Sequence, residues 1–201
     1  MPEELCKLLV YSGGYLSSSE NISLRDRLRL ETADAHARVD ALFGSCDFAD
    51  AADYGRFLLA QATAWETLRP MLDAESLRRA DALRSDLDAL GLAVPEPLAD
   101  IAMPPRESLG HRYVLEGSRL GSTVLLRELC AKAPPSSVAA SAYLNESARI
   151  DAWKQLSTNL QNGPGVGDNE RRIINDALFV FGLFEKAWRA TDSAYTRTGL
   201  D

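Results

Sequence analysis

The sequence predicts an all-α fold, a single domain built as a multi-helix bundle. Apolar residues recur every three or four positions through most of the chain, and nowhere does a period-two alternation persist for more than a few residues. Prolines gather where the helical patterns stop, with four between Pro95 and Pro105 and a pair at Pro134 and Pro135. The length is that of one domain. A chain of 201 residues buries roughly 70 % of the surface its unfolded form exposes, so it needs no disulfide or metal staple.

Taken in order, residues 1–22 hold Gly13, Gly14 and Ser17-Ser18-Ser19 around one apolar cluster at Leu8, Leu9 and Val10, and they read as a flexible extension. Ser23 is an N-cap with Asp26 three residues on. Leu24, Leu28, Ala35, Val39 and Leu42 follow at helical spacing, so the first core helix is expected over 24–43. A second spans 53–72 with Tyr54, Phe57, Leu58, Trp65 and Leu68 inward, and Pro70 bends or stops its end. A third, more charged helix covers 75–90 and stops at Gly91. The proline-rich connector leads to a helix that starts near Glu107, carries Gly117 and Gly121, and ends before Pro134. One further helix is expected over 137–162, carrying Tyr143, Trp153 and Leu156. A last one over 169–195 follows the loop Asn162-Gly163-Pro164-Gly165-Val166-Gly167-Asp168 and bears Ile173, Ile174, Leu178, Phe181, Phe184 and Trp188. The helical domain is therefore 23–195, with 196–201 as a tail, and no repeat of fixed period runs through it.

Composition removes several classes of function. The formal charge of −7 argues against a nucleic-acid surface, which needs Lys and Arg clustered on one face. Cys6, Cys46 and Cys130 are odd in number, far apart and in no C-x-x-C pair, as expected of reduced thiols in a cytosol. No apolar run approaches the roughly 20 residues of a membrane span, and Glu3 and Glu4 replace the positive start of a signal peptide. The expected location is the cytoplasm. Gly163-Pro164-Gly165-Val166-Gly167 follows no strand and precedes no Lys-Ser/Thr, so it is not read as a phosphate loop. Neither histidine belongs to a Glu-x-x-His pair, which disfavours a di-iron bundle.

Two features carry chemistry. His36 has Asp40 one helical turn on, and a ligating imidazole commonly has its second nitrogen held by a carboxylate, which fixes its tautomer. The same spacing also describes an ordinary i,i+4 surface pair worth a few tenths of a kcal/mol. Gly117 and Gly121 lie on one face of a helix interior, where each costs about 1 kcal/mol relative to alanine. They mark either close helix packing, a broken helix end, or a ligand that approaches the backbone. A histidine on one helix and a glycine-softened face on another can hold a flat, metal-containing ligand between them. His111, near the start of the glycine helix, reads as a surface or capping residue, and Trp65, Trp153 and Trp188 read as core or pocket wall.

Three stretches add a resemblance. Leu30-Glu31-Thr32-Ala33-Asp34-Ala35-His36 with Val39-Asp40, then Tyr113-Val114-Leu115-Glu116-Gly117-Ser118-Arg119-Leu120-Gly121, then Ala177-Leu178-Phe179-Val180-Phe181-Gly182-Leu183-Phe184-Glu185 resemble, in order and spacing, the signature stretches of the haem oxygenase family. The likeness is closest to its bacterial, biliverdin-producing, phytochrome-associated branch and covers about 23–195. It implies a haem oxygenase-like helical domain, with His36 as the proximal ligand of the haem iron. Gly117 and Gly121 would lie on the distal helix, where the missing Cβ atoms leave room for O2. Tyr113 and Arg29 are expected near the haem propionates, and Lys154 falls at another propionate-side lysine.

Two departures accompany the likeness. Ser118 stands where many relatives have an aspartate that orders distal water, and Ser122 follows Gly121, leaving the second glycine pair of mammalian-type enzymes incomplete. The resemblance implies haem as cofactor and substrate, O2, and an external electron donor, a ferredoxin or a flavoprotein reductase. The products would be biliverdin, carbon monoxide and iron, with a bacterial phytochrome as candidate biliverdin acceptor. Ser118 keeps open a second reading, a haem- or tetrapyrrole-binding protein on the same scaffold that does not turn over.

Overall fold

Residues 22–104, 107–163 and 167–198 are described by the computed structural model, and among them the chain forms helices and no strand. The proposed extension through residue 21, with Cys6, the loop residues 164–166 and the last three of the tail lie outside the described residues. The helices are α1 (Leu24–Glu31), α2 (Ala33–Phe43), α3 (Ala51–Leu68), α4 (Ala74–Ala89), α5 (Leu109–Lys132), α6 (Pro135–Ala139), α7 (Ala142–Ser147), α8 (Asp151–Asn162) and α9 (Glu170–Thr198). The all-α bundle expected from the periodicity is what forms.

Side-chain caps set several starts. Ser23 Oγ accepts the Asp26 amide at 3.1 Å, as its spacing predicts. Asp50 caps α3 and Asp73 caps α4 in the same way. Two expected helices are divided. The 24–43 pattern breaks at Thr32 (φ −107°, ψ 2°), whose hydroxyl donates back to the Leu28 carbonyl at 2.7 Å. The 137–162 pattern becomes α6, α7 and α8. Here the cap is remote: the Asp86 carboxylate, on α4, accepts the amides of Ala142 and Tyr143, each at 2.8 Å, and so begins α7.

The core joins Trp65, Tyr54, Phe57, Phe48 and Leu28, all essentially without exposure, to Phe43, Phe184 and Trp188. α9 is the central element and packs on α5, α3 and α2, whereas α2 and α5 barely touch each other. One glycine sets the crossing of α5 and α9. A Cβ at Gly110 would run into the Ile173 carbonyl oxygen and stand 2.8 Å from the Ala177 nitrogen, so the two backbones are in contact there. No helix among the described residues is long and apolar enough to cross a membrane.

Candidate functional site

His36 sits on α2, 40 % exposed, with Nδ1 3.1 Å from the Asp40 carboxylate. Phe181 of α9 presents its ring edge-on to the imidazole, centroids 5.5 Å apart. A neutral imidazole that donates from Nδ1 carries its lone pair on Nε2, the nitrogen a metal ion takes. Partial burial raises the Asp40 carboxyl above its ordinary range, opposed by the charge His36 can carry. His36 and Asp40 are therefore in contact, with Nδ1 toward the carboxylate.

On α5, Gly117 and Gly121 do not serve close backbone packing. A Cβ at Gly121 would meet nothing within 4 Å, and one at Gly117 would come nearest the six-membered ring of Trp153, at 3.5 Å. Close helix packing, the bland explanation of the pair, belongs to Gly110 instead. Trp153 projects from α8 between Gly117 and Tyr113, its ring 5.8 Å from the phenol. Burial pushes the Tyr113 phenol above its ordinary pKa, countered by the nearby Thr32 side chain and by the charges of Arg25 and Arg29. Tyr113 and Thr32 thus bring the two halves of the site side by side. One turn beyond Thr32 lies His36, one turn beyond Tyr113 lies Gly117, and from there α2 and α5 run on without packing together.

Arg29 is exposed on α1 and forms no ion pair with a carboxylate among the described residues. Lys154 is an exposed residue of α8, paired with Asp151 at 3.4 Å. Nothing among the described residues joins it to Tyr113 or Arg29. Ser118 brings in a residue that the sequence reading missed. Arg79 of α4 is fully buried, its guanidinium 4.6 Å over the Trp65 ring, and it donates to Ser147 Oγ, to the Leu115 carbonyl and to Ser118 Oγ at 2.9, 2.6 and 2.9 Å. Ser118 in turn donates to the Leu115 carbonyl at 2.8 Å. The hydroxyl is thus fixed from beneath by a cation with no carboxylate partner, and burial lowers the Arg79 pKa. A signal existed: Arg79 falls on the stripe of Leu83 and Leu87, where a charge is out of place.

His111 caps rather than ligates. Its Nδ1 accepts the Ser108 amide at 3.0 Å, in a capping box at the start of α5.

A haem fits these residues on three counts: an imidazole with a carboxylate beside its Nδ1, a helix face with open space where a Cβ would be, and cations by a half-buried tyrosine. Among the described residues no three His, Cys, Asp or Glu side chains gather to hold a metal ion by themselves. In a haem the macrocycle supplies ligands of its own, so one imidazole from the protein is enough.

No family model matches the chain. It is similar to heme oxygenase PigA of Pseudomonas aeruginosa, 30 % identical over 182 residues that cover 81 % of this chain and 91 % of that protein. With that identity over almost the whole relative, and an all-helical bundle as its fold, the chain belongs to the haem oxygenase family.

Proposed function

We propose that the protein is a haem oxygenase that cleaves haem to biliverdin, carbon monoxide and iron. The reading rests most on the face of α5, where Gly121 has open space at its Cβ position and Gly117 comes nearest the Trp153 ring. A helix keeps two such glycines, at about 1 kcal/mol each, when something other than protein must come close.

Haem, when bound, supplies both the iron that activates O2 and the porphyrin that is oxidised. The chain's own residues do the rest. His36 binds the iron through Nε2, and Asp40 holds the ring orientation and tautomer. Gly117 and Gly121 admit O2 against the backbone. Ser118, oriented by Arg79, keeps an exposed hydroxyl at which water can be held, so protons arrive through ordered water rather than a side-chain acid. Arg29 and Tyr113 offer donors to the propionates, and Lys154 is a further surface cation, on α8. Electrons come from a ferredoxin or a flavoprotein reductase, the enzyme works in the cytoplasm, and a bacterial phytochrome takes the biliverdin.

Haemin added to the purified protein should give a Soret band. Ascorbate or a reductase system should then convert it to biliverdin absorption. A Soret band that persists under reduction would leave a haem binder without turnover, the reading that Ser118 in place of an aspartate favours. Absence of the band would overturn haem binding altogether.

A further inference from the structure

α1 carries three arginines on two faces. Arg27 pairs with Glu170 of α9 at 3.2 Å. Arg25 and Arg29, one turn apart on the other face, form no ion pair with a carboxylate among the described residues, nor do Arg112, Arg127, Arg171 and Arg172. All of these are exposed except Arg25, which is half-buried. Its polar partner is neutral and distant: Nη1 reaches Gln161 Oε1 of α8 at 3.5 Å, while Gln161 Nε2 reaches Asp26 at the same distance. A guanidinium whose side-chain partner is one neutral amide oxygen keeps further N–H donors for an anion. The charge of the same guanidinium bears on Tyr113 of α5, which lies near Thr32 at the α1–α2 joint.

We propose that Arg25 is a carboxylate-anchoring residue of the haem site, acting with Arg29 on the propionates from one face of α1. The inference rests on the haem reading above. Residues four apart on a helix present side chains about 5–6 Å apart, so two guanidiniums can take two carboxylates or fork around one. Gln161 holds Arg25 at the rim in a contact weak enough to yield to a charged ligand. Arg25 belongs to none of the three stretches that mark the family.

Wild type, Arg25→Ala, Arg25→Gln and Arg25→Lys would be titrated with haemin and with haemin dimethyl ester, whose propionates carry no charge. Binding is read from the Soret band and tryptophan quenching, and folding from thermal melts. Arg25→Ala and Arg25→Gln should bind haemin about tenfold more weakly, the scale of one charge-assisted contact, while binding of the ester stays unchanged. Arg25→Lys should recover part of the loss. Equal haemin binding by wild type and Arg25→Ala would overturn the proposal. So would an equal weakening toward haemin and ester, which means a structural role. A wild type that takes up neither compound would instead overturn the haem reading itself.

Discussion

At the scale of single residues, His36 and Ser118 make opposite demands on their surroundings. His36 is half-exposed and touches little beyond Asp40 and Phe181, so its removal should leave the fold alone. His36→Ala is expected to melt within about 0.5 kcal/mol of wild type yet lose biliverdin formation, since surface substitutions away from caps and cores sit within that range. Turnover by this variant without added imidazole would remove His36 as the ligand. Asp40→Ala should keep activity and weaken haem affinity by roughly 10- to 100-fold, as losses of a ligand's supporting carboxylate do. Ser118 differs because a fully buried cation leans on it. Ser118→Ala leaves one Arg79 N–H without its protein acceptor, at a cost of about 1 kcal/mol, the low end for an unmade bond because water can reach that position. Turnover in this variant should slow only partly, whereas Ser118→Asp gives Arg79 a carboxylate and should raise the melting temperature. Melts and single-turnover decay of the haem complex check both, and Ser118→Asp without added stability would show that the guanidinium does not reach residue 118.

At the scale of elements, two glycines on one helix separate packing from ligand access. A methyl group at Gly110 would enter the backbone of α9 at Ile173 and Ala177. Gly110→Ala should therefore push α5 away and destabilise the protein by about 1–3 kcal/mol, with haem affinity falling alongside. Gly121→Leu should retain haem, lose oxygenation, and stabilise the helix by up to about 1 kcal/mol, so stability and activity move in opposite directions. Denaturant titration of both variants, together with haem uptake, tells them apart; normal activity in Gly121→Leu would mean that the distal face is misplaced. The contrast also marks how much the sequence reveals. Gly117 and Gly121 stand out because they interrupt a helix interior, while Gly110, in the first turn, looks ordinary until α9 is laid across it. Likewise Ser23 is legible as a cap because its bond is three residues long, but the break before α7 depends on Asp86, 56 residues upstream. Periodicity places helices well, and it is blind to partners that only folding brings together, Arg79 beneath Ser118 among them.

For the molecule as a whole, the start of α5 joins the connector, α4 and α9, and two titrating groups there bend the dependence of stability on pH in opposite senses. Burial lowers the His111 pKa, with Asp176 opposing, so the folded state prefers neutral His111, whose Nδ1 accepts the Ser108 amide. That contribution is complete above the ordinary histidine pKa of about 6.5 and declines as pH falls below it, because protonated Nδ1 can no longer accept. Burial, aided by Asp73 and Glu116 and opposed by Arg112, raises Glu107 to about 7. The contribution of neutral Glu107 is complete below the ordinary glutamate value of about 4.3 and is lost as pH rises through 7. The two windows overlap below about pH 6.5, and there the gain from His111 and the loss from Glu107 oppose each other as pH rises. Glu107→Gln removes only the second loss. Relative to wild type it should gain about 1 kcal/mol above pH 7, a figure discounted for the partial exposure of the site, and change little near pH 5. Thermal melts of wild type and Glu107→Gln across pH 5–9 measure this. A constant difference at every pH would mean that Glu107 titrates as a solvated carboxylate, and a gain confined to the acid side would reverse the sign and refute the assignment.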